Sequence, residues 1–465
     1  MRLNPVRTAQ IAGGAVLAAV VVVGVAGLAF VDLPGRAHDP IRVEAQPPAA
    51  PAVAVCSGPL LAAGRDATQA SLLTDGAPQQ VTAGATSGAD LADALLTPAD
   101  VSGGAGPAAL TATPPASSTD PADLAGAGSA QVAASDLVGF AAEGCTRAAM
   151  EAWLVGGSGT TGAGDLVVLA NPGDVAARVT LAVYGATGAQ TPAAGKDIVV
   201  AARTQRVIPL AALALGEENP VVRVTSAQAP VRASLQATLT RVLNPGGVDQ
   251  IAALGAPTAE LVIPAVPVTA PPGDPGASNT PTRLVLLAPA SAGDATVTVT
   301  GDGGAVASAQ TLPLLAGIPL RLDLGTLAVG TYTVTVAATT PVTGAVWTTT
   351  GFGAGSDFGV FTPADVLRAP TLVAVADGPS PQLSLVGDGG AQTVTVEGLD
   401  GRGAQEIAVA EGQTVRVPVE GGTVYRITPT GSVRASVVYA GAGAVAGYPI
   451  ASGDAAAAAI EVYPR

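Results

Sequence analysis

The sequence predicts an all-β chain: tandem immunoglobulin-like β-sandwich repeats behind a single N-terminal transmembrane helix. Three observations predict it. One stretch near the start is uninterruptedly apolar. One strand pattern recurs three times beyond Trp153. Gly (59) and Pro (38) punctuate the 465 residues without a collagen-like period, as many turns between short strands require.

The apolar stretch runs from Ile11 to Val31 and contains no charge. About 21 residues of helix cross a hydrocarbon core of roughly 30 Å. Arg2 and Arg7 precede it and Asp32 follows, so the positive-inside bias puts residues 1–10 in the cytoplasm and the bulk outside. A cleaved signal peptide is the alternative, with Gly27 and Ala29 as small residues for the cut, but the run is long for that. No Cys stands near its end for a lipid anchor. Residues 32–52 are rich in Pro and Ala and read as a semi-extended linker.

The region 53–151 holds the two cysteines, Cys56 and Cys145. Their spacing is not that of a redox motif, and an exported pair reads as one structural disulfide. Closing a loop of roughly 90 residues stabilises by about 4 kcal/mol in the chain-entropy model. Between them, residues 97–134 are mostly Ala, Ser, Thr, Pro and Gly. That composition predicts a long flexible loop, flanked by strands meeting near the disulfide.

Three sandwich repeats follow, over 152–257, 258–358 and 359–450, with a tail at 451–465. Their first strands begin at Asp165, Thr282 and Pro381, and their closing pairs at Val221, Tyr332 and Val424. The period is two. Val231, Ala233, Leu235, Ala237 and Leu239 share one face; Arg232, Ser234, Gln236 and Thr238 share the other. Such alternation marks a half-buried antiparallel strand. Turn runs separate the strands: Asn171 to Asp174, Gly301 to Gly304 and Gly387 to Gly390. A short helical turn fits Ile208 to Gly216, and Ile460 to Pro464 fits a last strand. With aromatics at 3%, Val, Ala and Leu must fill the cores. The sandwiches are expected to have separate cores, like beads on a short rod.

The chain is acidic, with net charge −14. That argues against nucleic acid, which is bound by neutralising phosphates, and against anionic lipid surfaces. No catalytic constellation is visible, and no cofactor or metal is called for. The only His, His38, lies in the linker beside Asp39, where nothing holds partners rigid. The Gly-rich run Gly156 to Asp165 precedes a strand rather than a helix, so it is a loop and not a dinucleotide fingerprint. Turn carboxylates such as Asp165, Glu218 and Asp302 offer at most weak calcium binding. Trp347, Phe352 and Phe358 are the candidate ligand or partner surface, against the plainer reading that they plug the core between adjacent domains.

The runs Trp153 to Gly157, Leu166 to Gly173 and Ala177 to Gly185 resemble a family of uncharacterised, exported actinobacterial proteins. The resemblance covers most of the chain and is best from Trp153 to Thr240. It weakens later, because the Asn-Pro-Gly turn is missing after Leu287 and after Leu385. It implies a membrane-anchored, sandwich-bearing protein and supplies no catalytic residue.

The sequence therefore reads as a non-enzymatic, membrane-anchored extracytoplasmic scaffold or protein-interaction protein of the cell envelope. Its partners would be the membrane, through one span, and an envelope protein or glycan. The alternative is a cell-wall carbohydrate-binding protein, with an unrecognised hydrolase behind it.

Overall fold

A computed structural model describes residues 5–29, 43–45, 48–65, 72–116, 118–271, 280–325, 327–441, 443–453 and 460–462. The chain divides into two units. The first contains the helix Pro5–Ala29 and a short antiparallel pair between strands Val43–Ala45 and Ile460–Val462. Residues 13–27 of that helix are all Gly, Ala, Val or Leu, and all are exposed. The large side chains fall at 16, 17, 20–23 and 25, so no polar stripe interrupts the helix surface over residues 13–27. No helix among the described residues is long and apolar enough to cross a membrane. His38 and most of the 32–52 linker lie outside the described residues.

The second unit, 48–456, is all β, and one strand order occurs in it three times. In the first sandwich, strands Asn244–Ala252, Arg232–Arg241, Leu166–Asn171 and Thr204–Pro209 form one sheet. Strands Glu151–Leu154, Val221–Ala227 and Ala177–Gly185 form the facing sheet. The third repeats this with Ala444–Pro449, Val433–Gly441, Gln382–Gly387 and Thr414–Pro418 against Thr371–Val375, Thr423–Pro429, Gln392–Gly398 and Gln405–Val409. The second does so with one economy. Its 20-residue strand Gly330–Thr349 serves both sheets, pairing with Gly293–Gly301 in its first half and Thr282–Leu287 in its second. The alternation read from the sequence is present: Val297, Val299, Val334 and Val336 are buried between the sheets, and Thr296, Thr298, Thr300 and Thr335 beside them are less so. A single 3-10 turn at Leu210–Ala212 sits where a helical turn is predicted.

The region before Glu151 is not a loose appendage. The stretch 97–134 contains strand Ala108–Thr113 and the whole of strand Leu124–Ala133, contrary to the flexible loop its composition suggests. Its small residues pack backbone close to backbone, with Ala52, Ala112 and Ala122 buried together. Bulky apolar groups come from elsewhere: Ala125 and Ala127 share a cluster with Val373, Val396 and Tyr439 of the third sandwich. Cys56 and Cys145 form a disulfide, and the backbones of Val55 and Thr146 exchange hydrogen bonds of 2.8 and 3.0 Å beside it.

The cores are likewise shared, which departs from the expected beads. Val285, Leu287, Trp347 and Phe358 of the second sandwich belong to the core of the first, and Val438 and Val445 of the third belong to that of the second. The polar face of strand Arg232–Arg241 is covered as well. Arg232, Ser234 and Gln236 are each no more than 2% exposed. Arg232 pairs with buried Glu143 and donates to Ser57 Oγ at 2.6 Å. The Gln236 side chain accepts from Leu61 N–H at 2.8 Å and donates to its carbonyl at 2.7 Å, as a neighbouring strand would. Every polar group in that layer needs such a partner once water is excluded.

Asp357 joins the parts. It is fully buried where edge strands of the three sandwiches and strand Val138–Gly144 converge. Its carboxylate accepts N–H bonds from Phe140 (2.9 Å), Val248 (3.2 Å) and Val445 (3.4 Å). Gly139 and Gly247 make room: a Cβ at either would lie 2.5 or 2.7 Å from that carboxylate, and both have positive φ. Burial pushes the Asp357 acid up to about 7, against the pull of those N–H donors.

Candidate functional site

A cleft of about 230 Å³ opens between the first and second sandwiches. One wall is the Gly-rich run from Gly156 to Asp165, which carries the chain from strand Glu151–Leu154 across to strand Leu166–Asn171. Its composition follows from crowding. A Cβ on Gly159 would lie 1.7 Å from the Ala214 carbonyl oxygen, and Gly156 has φ 111° with Val360 2.6 Å from where a Cβ would stand. Asp165 pins the run. Its carboxylate accepts the N–H of Ser158 at 2.6 Å and of Thr238 at 2.8 Å. Burial raises its pKa to about 7, and the two donors oppose the rise. The Ser158 and Thr160 hydroxyls lie 2.8 Å apart on the same wall.

The opposite wall is the outer sheet face of the second sandwich. Ladder register sets Arg283 opposite Trp347, and the two side chains share a face. The Arg283 guanidinium carbon stands 4.1 Å from the Trp347 ring centroid, and the Trp347 ring stacks on Phe358 at 5.8 Å. Arg321, one strand further, donates to Asp323 at 2.9 Å and reaches Glu218 at 3.4 Å. Arg241 lies 4.4 Å over the Phe352 ring. Burial, then the neighbouring Arg321, lowers the Arg283 pKa to about 10, so it remains a cation at neutral pH.

The three aromatics singled out from the sequence thus come together, but not as an exposed platform. Trp347 is 5% and Phe358 2% exposed, and both belong to the core shared by two sandwiches; Phe352 is partly buried against it. Sugar stacking needs an open ring face, and Arg283 already covers one on Trp347. Sequence reasoning missed the arginines. They are far apart in the chain and sit at alternate strand positions, where a polar residue reads as solvated. Among the described residues no group of three or more His, Cys, Asp or Glu could hold a metal ion. The arrangement suits recognition of a small polar, anionic group.

A family model described as a family of unknown function, DUF5719, matches residues 98–420. No curated protein matches the chain.

Proposed function

The chain belongs to DUF5719, a family of unknown function, and we propose that it is a non-enzymatic, membrane-anchored extracytoplasmic scaffold or protein-interaction protein of the cell envelope. The observation that carries this reading is the Cys56–Cys145 disulfide in a chain that also carries a helix of exposed apolar residues. Disulfides persist in oxidising compartments, and a helix apolar on every side is favourable in lipid. Residues 13–27, all exposed, are flanked in sequence by further apolar residues from Ile11 to Val31, and that whole stretch is the proposed span. Three tandem sandwich modules, joined through shared cores and Asp357, give a stiff platform for partners, which is what a scaffold requires. The resemblance to exported actinobacterial proteins, best from Trp153 to Thr240, supports the same location.

The test is topological. In intact cells carrying the full chain, it should remain with membranes after a carbonate wash and be cut by protease added outside. Recovery in the soluble cytosolic fraction, or protection from that protease, would overturn the reading.

A further inference from the structure

Arg283 is the least compensated cation in the cleft between the first and second sandwiches. Its Nε is buried and has no hydrogen-bond partner. The acid directly opposite it on the next strand, Asp323, is engaged by Arg321 Nε. Trp347 offers its ring face to the guanidinium, and a ring face accepts no ordinary N–H bond. A desolvated guanidinium nitrogen without an acceptor is costly, and the cost falls when a ligand supplies an oxygen.

The surroundings fit an anion. Arg241 and Arg321 line the same cleft, in a chain whose net charge is −14. Glu218 and Asp323 make their ion pairs with Arg321 and act on Arg283 only at longer range. Ser158, Thr160 and Asn219 add neutral donors and acceptors at the rim. At about 230 Å³ the space is below the roughly 300–1,000 Å³ of drug-sized sites, so it takes one ring-sized group rather than a long chain.

We propose that this cleft binds an oxyanion, a carboxylate or phosphate group carried on a small polar ligand, with Arg283 as the anchoring cation. Guanidinium groups suit both oxyanions, because their planar N–H fork can meet two oxygens at once. The proposal rests on the scaffold reading only for where the ligand is met. Binding is measured in solution, so its failure and a failure of the membrane topology are separate results.

The test is calorimetric titration of the full chain in a non-ionic detergent with inorganic phosphate and with glucuronate, using glucose as the neutral control. At least one anion should bind, and glucose should not. Arg283→Gln should weaken that binding roughly tenfold or more. Arg416→Gln should leave it unchanged, since Arg416 pairs with Asp302 outside the cleft. Binding of phosphate alone assigns a phosphorylated ligand, and binding of glucuronate alone a carboxylated one. Binding of neither anion, or equal binding by folded Arg283→Gln, would overturn the proposal. Should Arg283→Gln not fold, phenylglyoxal mapping of the unaltered chain decides. Saturating anion should shield Arg283 and not Arg416, whereas equal modification with and without anion would refute the site.

Discussion

Replacing Asp357 by Ala should loosen the whole β unit, and most severely at mildly acidic pH. The side chain is fully buried and satisfies the N–H groups of Phe140 and Val248 at 2.9 and 3.2 Å, with Val445 at a longer 3.4 Å. Each buried donor left unpaired costs about 1–3 kcal/mol, so the two shorter bonds alone set a loss of about 2–6 kcal/mol. The pH dependence follows from the acid itself. Its folded pKa is raised to about 7, so the native state holds its proton more tightly than the unfolded chain. Stability from this group therefore falls as pH rises from near 4 through about 7. Between pH 5.5 and pH 8 the unaltered chain loses about 2 kcal/mol on this account, and the Ala variant loses none of it. The destabilisation should thus be about 2 kcal/mol larger at pH 5.5 than at pH 8. Urea unfolding of both chains, followed by tryptophan fluorescence at the two pH values, measures it. An unchanged midpoint at pH 5.5, or a difference that grows toward pH 8, would refute the reasoning.

Other perturbations separate the remaining contributions. Glu143→Gln leaves Arg232 charged and 1% exposed; breaking a buried pair in this way should cost about 3–5 kcal/mol in urea unfolding. Changing both Cys56 and Cys145 to Ser opens a loop closed over 89 residues of separation and should cost about 4 kcal/mol in the same assay. Val242→Gly should raise the unfolding free energy by about 1 kcal/mol: Val242 is 95% exposed, so no packing is lost, and its φ of 59° is strained for a β-branched residue. Asp165→Asn should remove a second carboxylate whose pKa lies near 7. The variant's stability should then fall less between pH 5.5 and pH 8 than that of the unaltered chain, as thermal melts at the two values would record.

Much of the fold was legible because period-two alternation is a local property. The inward valines of strands such as Gly293–Gly301, the 3-10 turn at Leu210–Ala212 and the single cystine could all be read from a few residues at a time. What period two leaves open is whether the polar face meets water or another layer. Arg232, Ser234 and Gln236 look solvated in sequence, yet the region before Glu151 covers and satisfies them. The Ala- and Gly-rich stretch 97–134 misled for a related reason. Its strands bury little area of their own, and Leu124–Ala133 relies on side chains supplied by the third sandwich. Asp357 resembles any other turn acid until the glycines at 139 and 247 are seen to let two strands approach it. The candidate site was legible only as aromatic residues. Its cations, Arg241, Arg283 and Arg321, converge through sheet register and module packing, which no local pattern encodes.

The central claim, that the β unit operates outside the cytoplasm, is tested most directly by the redox state of Cys56 and Cys145 in the full chain taken from cells under acid quench. The account predicts no alkylation of either residue before reduction and alkylation of both after it. Two thiols that alkylate without any reductant would contradict it.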